Sequence, residues 1–252
     1  MAYSLEELLA RPKLERPYYW DKFLPVGGRC LIAAEWKSYK SFLTMNVAYD
    51  LACGIEPLSG GAPEGDGITV LYIEQEIGEE GVHSRYERIH EARGENERAA
   101  KNLILQPKDK GFKLFESGLS ELVRAIQPHV IILDPLRKFH SFDESSSKEV
   151  LRMLNEITDL QRAADEGREA GTCSSILVHH MGKTSEYRDK RSAESIRGSA
   201  LFVDDPDAIA AISKVPHKDY QIELDWTLRH AEEPPKMRIE LDRKSFSFRR
   251  VG

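Results

Sequence analysis

Two stretches of this sequence, Val130-Ile131-Ile132-Leu133 and Ile176-Leu177-Val178, are apolar at every position. A strand with one wet face alternates apolar and polar residues, so short unbroken runs of this kind belong to strands covered on both faces. Including these two, strand-like runs stand at 29–33, 68–73, 103–106, 129–133, 175–179 and 208–212. Helical spacing occupies 40–53, 79–92, 117–127, 146–166 and 192–201, and Ser146 with Glu149 has the form of a capping box opening the fourth. The alternation predicts an α/β class: a mostly parallel sheet flanked by helices on both faces. Beyond Tyr220 the period changes to two, with Tyr220, Ile222, Leu224, Trp226 and Leu228, then Met237, Ile239 and Leu241, then Phe246 and Phe248. These read as antiparallel C-terminal strands extending the sheet. Residues 1–28, a short acidic helix at 4–9 followed by Pro12, Pro17, Pro25 and Gly27-Gly28, read as a lead-in segment. Residues 29–252 then form one domain, long enough to bury a full core.

The composition narrows the function classes. A net charge of -6 argues against a globally basic nucleic-acid binder, while leaving room for a local basic channel. No apolar run reaches the length of a membrane span, and Met1-Ala2-Tyr3-Ser4-Leu5-Glu6-Glu7 lacks the basic and apolar regions of a signal peptide. Cys30, Cys53 and Cys173 are odd in number and set in apolar surroundings, which fits buried free thiols in a reducing cytoplasm. The expectation is a cytoplasmic protein with no membrane partner.

The segment from Arg29 to Gly54 reads strand, tight polar loop, helix. Cys30-Leu31-Ile32-Ala33 leads into Ala34-Glu35-Trp36-Lys37-Ser38-Tyr39-Lys40-Ser41, after which Phe42, Leu43, Met45, Val47, Ala48, Leu51 and Ala52 recur at helical spacing. This is the layout of the phosphate-binding loop G-x-x-x-x-G-K-[ST], with Ala34 and Tyr39 in place of both glycines. Lys-Ser and Lys-Thr pairs also occur at 37–38, 183–184 and 244–245, but only Lys40-Ser41 stands between a buried strand and a helix start. There, backbone N–H groups and the helix dipole favour phosphate. Lys40 would reach the β- and γ-phosphates and the Ser41 hydroxyl would hold Mg²⁺, with residues 35–42 (Glu35, Trp36, Lys37, Ser38, Tyr39, Lys40, Ser41, Phe42) around the nucleotide. A side chain in a left-handed position costs on the order of 1–2 kcal/mol. Each charge-assisted hydrogen bond to phosphate returns about 1.5–3 kcal/mol, so Tyr39 is tolerable where its ring leaves the nucleotide room. An ordinary exposed strand–helix turn is the alternative.

Companion residues follow other strands. Asp134 comes directly after Val130–Leu133 of a buried strand, where a carboxylate can order a magnesium ion; a turn or cap aspartate is the alternative. Glu74 and Glu76 end the run 68–73, two residues apart, and either can polarise an attacking water. His179-His180 closes 175–178, suited to sensing a γ-phosphate or merely capping a strand; zinc is disfavoured because no second ligand cluster stands at metal spacing. Arg188, Lys190, Arg191 and Arg197 lie in a polar basic stretch that could touch nucleic acid, complete a neighbour's site or simply be solvated. Ligands bind at C-terminal strand ends in open parallel sheets, and all these residues fall there.

With those residues in place the chain resembles the RecA-like P-loop ATPases, in particular the group containing plasmid and phage hexameric replicative helicases. The carrying segments are Leu31–Leu43, Val70–Glu76, Ile131–Leu136, Val178–Lys183 and Arg197–Leu201, within a resemblance running from about Pro25 to Ile212. The resemblance implies an ATP- and Mg²⁺-dependent enzyme. Lys40 and Ser41 match the phosphate and magnesium residues, Asp134 the Walker-B acid, Glu76 the catalytic glutamate, and His179 and His180 the sensor. Arg197 matches a finger acting on the neighbouring subunit, with Arg191 or Lys183 as substitutes. It also implies a homo-oligomeric, hexameric ring acting on single-stranded DNA through Lys138, Lys183, Arg188 and Arg191. A helicase or translocase of a mobile element is the reading that follows. A non-motor ATPase switch or recombination mediator, and a nucleotide-dead scaffold, are the rivals.

Overall fold

The computed structural model describes residues 3–12, 15–108, 111–168, 171–181 and 196–251. Among them, nine strands form one sheet: β3 (Arg29–Ala34), β4 (Val70–Glu74), β5 (Leu103–Gln106), β6 (Val130–Asp134), β7 (Ser174–His180), β8 (Ala208–Lys214), β9 (Gln221–Leu228), β10 (Met237–Leu241) and β11 (Phe248–Arg250). Their spatial order is β11-β10-β9-β8-β3-β7-β6-β4-β5. The stretch from β8 to β5 is parallel, and β8 to β11 pair antiparallel, so the sheet is mixed in the way the change of period predicts.

Every residue of β3, β4 and β6 is buried, as unbroken apolar strands require. Alternation sends Cys30, Ile32, Ala34, Tyr72, Val130, Ile132, Ile176 and Val178 to one face, under the helices α2 (Lys40–Cys53) and α3 (Glu79–Ala92). Leu31, Ala33, Leu71, Ile73, Ile131, Leu133 and Leu177 go to the other, under α5 (Ser117–Ile126) and α6 (Ser147–Ala164). Burying each large aliphatic side chain contributes roughly 1.5–3 kcal/mol, and two such layers hold the sheet between its helices. Helix α2 stops at Gly54, whose φ of 73° lets its N–H reach the carbonyls of Asp50 and Leu51.

The structure departs from the sequence expectations in several places. Residues within 1–28 include an antiparallel pair, β1 (Tyr18–Trp20) and β2 (Leu24–Pro25), and Trp20 and Phe23 pack on Trp226 of β9. Helix α1 (Leu5–Leu9) buries none of its residues. A short helix α4 (Glu97–Asn102), too brief and polar to give a period, precedes β5. The capping box of α6 is half formed: the Ser146 hydroxyl accepts from the Glu149 N–H, while the Glu149 carboxylate accepts from the Asp143 N–H, 2.7 Å away. Of the helix expected at 192–201, residues 192–195 lie outside the described residues, and helix α7 begins later, at Leu201–Asp204.

Candidate nucleotide site

Strand register gathers the site. Ala34, the last residue of β3, pairs with His180 of β7 on one side and Ile212 of β8 on the other. Glu74 of β4 pairs with Asp134 of β6. The C-terminal ends of five strands therefore converge where residues 35–39 cross into α2.

The loop closes on itself. The buried Ser38 hydroxyl donates to the Glu35 carbonyl, and Lys37 and Tyr39 take left-handed conformations with φ of 59° and 61°. Tyr39 is the residue before α2, and no side chain caps that helix, so its first amides are left for a ligand. The Tyr39 ring leans onto Tyr220, centroids 5.9 Å apart, and the Arg243 guanidinium lies 5.1 Å over Tyr220. The tyrosine thus forms a wall and leaves a cavity of 460 Å³, within the range of about 300–1,000 Å³ usual for ligand sites.

Trp36, Lys37, Ser38, Tyr39, Lys40, Ser41 and Phe42 line the cavity from the loop and the start of α2; Glu76, Arg85, His180 and Lys214 complete it. Glu35 takes part only through its carbonyl in the loop. Four cationic side chains thus face one carboxylate in a chain whose overall charge is -6, an inversion that selects a polyanion. Arg85 and Lys214 carry no sequence motif. Arg85 stacks 4.6 Å over Phe42, which packs on Phe246 at 4.8 Å. Lys214 ends the strand next to the loop strand, two residues past the end expected for it, and the strand-end rule applied there would have found it.

Asp134 lies beneath the cavity, fully buried, with Oδ2 accepting the Tyr72 hydroxyl at 2.6 Å. Burial raises its pKa, while the Lys40 ammonium, the Tyr72 hydroxyl and the Ser41 hydroxyl pull it back. Its Oδ1 has no hydrogen-bond partner among the described residues. A buried unpaired carboxylate oxygen beside a serine hydroxyl and a phosphate cradle is the oxygen donor set that suits Mg²⁺, so the residues present fit that ion.

The two glutamates separate. Glu76 is exposed at the cavity wall, whereas Glu74 is buried and accepts the N–H groups of Glu76 and Ile77, fixing the turn that carries Glu76. Burial pushes Glu74 up to about 7 against those two bonds. The two histidines separate as well, because neighbours on a strand face opposite ways. His180 lines the cavity, and burial followed by the Lys40 charge pushes it down to about 4, so it is neutral at pH 7. His179 does not reach the cavity: it is buried on the other face, stacked on Phe202 at 4.4 Å, with Nε2 2.9 Å from the Arg197 carbonyl. Arg197 is exposed and absent from this cavity, its Nε 3.8 Å from Glu144. Lys138 is exposed on a 3₁₀ turn after β6 and its carbonyl accepts from the Lys113 ammonium. Lys183, Arg188 and Arg191 lie outside the described residues.

No helix among the described residues is long and apolar enough to cross a membrane. Comparison with solved structures finds the same fold in the ATPase domain of a helicase, with a TM-score of 0.63 at 13% identity over 89% of this chain and 85% of that one. "Crystal structure of the RadB recombinase" matches with a TM-score of 0.56 at 16% identity, over 90% of this chain and 92% of that one. No curated protein sequence matches. A family model described as an AAA domain, AAA_25, matches residues 2–186. By that match over most of its length, and on a RecA-like P-loop ATPase fold resembling that of replicative helicases, the chain belongs to the AAA domain family AAA_25.

Proposed function

We propose that this chain binds and hydrolyses Mg-ATP and uses the cycle as a motor on single-stranded DNA, as a ring-forming replicative helicase or translocase of a plasmid, phage or mobile element. The observation that carries the ATPase reading is one cavity that joins the uncapped start of α2, Lys40, Ser41, Glu76 and His180 above a buried aspartate. The amides opening α2 and the Lys40 ammonium would hold the β- and γ-phosphates. Ser41 and Asp134 would hold magnesium, which when bound neutralises charge on the phosphate oxygens. Glu76 would align a water for in-line attack and accept its proton, giving ADP and phosphate. Neutral His180 would hydrogen-bond the γ-phosphate and report its loss. Phe42, Tyr39 and Arg85 offer flat faces on which the base can stack.

Arg197 of one subunit would complete its neighbour's site, which makes oligomerisation part of the activity. Lys138, with Lys183, Arg188 and Arg191, would grip the DNA strand. The likeness to a helicase ATPase domain supports this reading; that to a recombinase, together with a net charge of -6, supports a second one, a non-motor nucleotide switch. Hydrolysis and unwinding assays decide between them. The motor predicts hydrolysis stimulated by single-stranded DNA together with duplex unwinding, and the switch predicts hydrolysis indifferent to DNA. A chain that remains monomeric by native mass measurement with Mg-ATP and an oligonucleotide would remove the between-subunit mechanism.

A further inference from the structure

Behind β7, on the face away from the cavity, buried polar groups collect without completing their bonds. Glu144 is 7% exposed and His140 7%, and His179 is 1% exposed. Glu144 Oε1, both ring nitrogens of His140 and His179 Nδ1 have no hydrogen-bond partner among the described residues. A buried polar group left unpaired costs about 1–3 kcal/mol, so such a cluster needs a reason to persist. His140 Nε2 is 3.6 Å from Glu144 Oε1, and the Nε atoms of Arg137 and Arg197 stand 3.9 and 3.8 Å from its carboxylate. Burial pushes His140 down to about 4, with the charges of Arg137 and Lys113 adding to it, and burial lowers His179 too. Both rings are neutral at pH 7, so Glu144 is the anion shared by two guanidinium groups, at distances too long for direct hydrogen bonds.

The backbone around this carboxylate is tied firmly. The Glu144 carbonyl accepts the Ser199 N–H at 2.7 Å, and the Ser147 and Ser199 hydroxyls are 2.9 Å apart. A Cβ on Gly198, whose φ is 104°, would fall 2.7 Å from the Glu144 carbonyl oxygen, so only glycine passes there. Arg197 bonds through its N–H to the His180 carbonyl and through its carbonyl to His179. Its main chain is therefore fixed to the strand end that carries the cavity histidine. Its side chain, 66% exposed, has Glu144 as its one ion-pair partner among the described residues.

We propose that Glu144 is a positioning residue that aims the Arg197 guanidinium and binds the 140–147 and 196–199 segments into one unit with the end of β7. The loose carboxylate allows Arg197 to be released when β7 shifts, while the backbone ties keep the two segments moving together. This rests on the ATPase reading for its consequence in catalysis, but the tie itself is a property of the chain without nucleotide.

The test is a double-mutant cycle in the full chain, with hydrogen–deuterium exchange as its second arm. Glu144→Gln keeps size and the main-chain bond to Ser199, and Arg197→Ala changes an exposed side chain, so both are expected to fold. Glu144→Gln should lower the DNA-stimulated kcat by roughly tenfold with KM for ATP unchanged, within the usual range of coupling energies. The same change in the Arg197→Ala background should produce no further loss. In nucleotide-free protein, amides of 196–203 and 140–147 should exchange at least about tenfold faster in Glu144→Gln, with 117–126 unaltered, as expected of one cooperative unit. Additive losses of kcat, or exchange equal to that of the parent chain, would overturn the proposal. A parent chain without ATPase activity defeats the ATPase reading instead, and the exchange arm then decides the Glu144 tie on its own.

Discussion

The two sides of the end of β7 hold adjacent histidines and differ in almost everything else. On the α2 side, His180 faces an open cavity with four cations and one carboxylate. On the α6 side, His179 is packed against Phe202 and the Glu144 cluster, with no open volume. Burial keeps both rings neutral, so charge does not distinguish them. Their difference comes from the pleat alone: one residue of travel along a strand exchanges a ligand wall for a loop anchor. A shift of this strand end is thereby felt on both faces at once, and the site and the loops need no longer connection.

The largest expected effect separates the cavity's two glutamates. Glu76→Gln should lower kcat by about 10²–10⁴ with the melting temperature unchanged. Glu74→Gln should act chiefly on stability, because its carboxylate holds the turn. Equal catalytic losses from both would break the distinction between wall and support. Next, Lys40→Ala should weaken Mg-ATP binding by about 10- to 100-fold, the value of one charge-assisted hydrogen bond, measured by fluorescent-nucleotide titration.

The histidines give the third comparison. His179→Ala should destabilise by about 1–3 kcal/mol through the lost ring stack and the bond to Arg197, visible in denaturant unfolding. His180→Ala should leave stability nearly intact and alter the response to ATP over ADP. Acid adds a sign. A histidine whose folded pKa lies below its unfolded value of about 6.5 stabilises the fold above that pH, and the contribution is lost as pH falls from 6.5 toward 4. Glu74 runs the opposite way, its folded pKa of about 7 lying above the ordinary 4.5, so its burden grows as pH rises from 4.5 to 7. A His140→Gln variant should therefore lose less stability than the parent chain between pH 7 and pH 4.5 in urea titrations.

The smallest effect concerns the replaced glycine. Tyr39→Gly relieves left-handed strain of about 1–2 kcal/mol but loses a ring contact with Tyr220 worth about 0.5–1.5 kcal/mol, so the melting temperature should move by only a few degrees. A large drop would mean that the tyrosine holds the loop open.

The sheet was legible because its strands are buried on both faces and its helices are long enough to show a period. β5 and α2 have the bounds that patterning predicts, and the change to antiparallel pairing is written in the alternation from Tyr220. The centre of the phosphate loop was legible from strand, Lys40-Ser41 and helix, despite Ala34 and Tyr39. Parity also held the answer for the histidines: Ile176, Val178 and His180 share a face with Ile32 and Ala34, the face that α2 covers. What stayed hidden is made by tertiary approach. Arg85 reaches the cavity from the middle of α3, α4 is too short for a period, and His140, Glu144 and Arg197 are neighbours only because β6, β7 and the segment after it end together.

Titration calorimetry of the chain with a non-hydrolysable ATP analogue and Mg²⁺, beside the Lys40→Ala variant, tests the central claim most directly. The cavity predicts one site per chain with affinity in the micromolar range and at least about tenfold weaker binding in the variant. Heats indistinguishable from dilution in the parent chain, or equal affinity in both proteins, would contradict it.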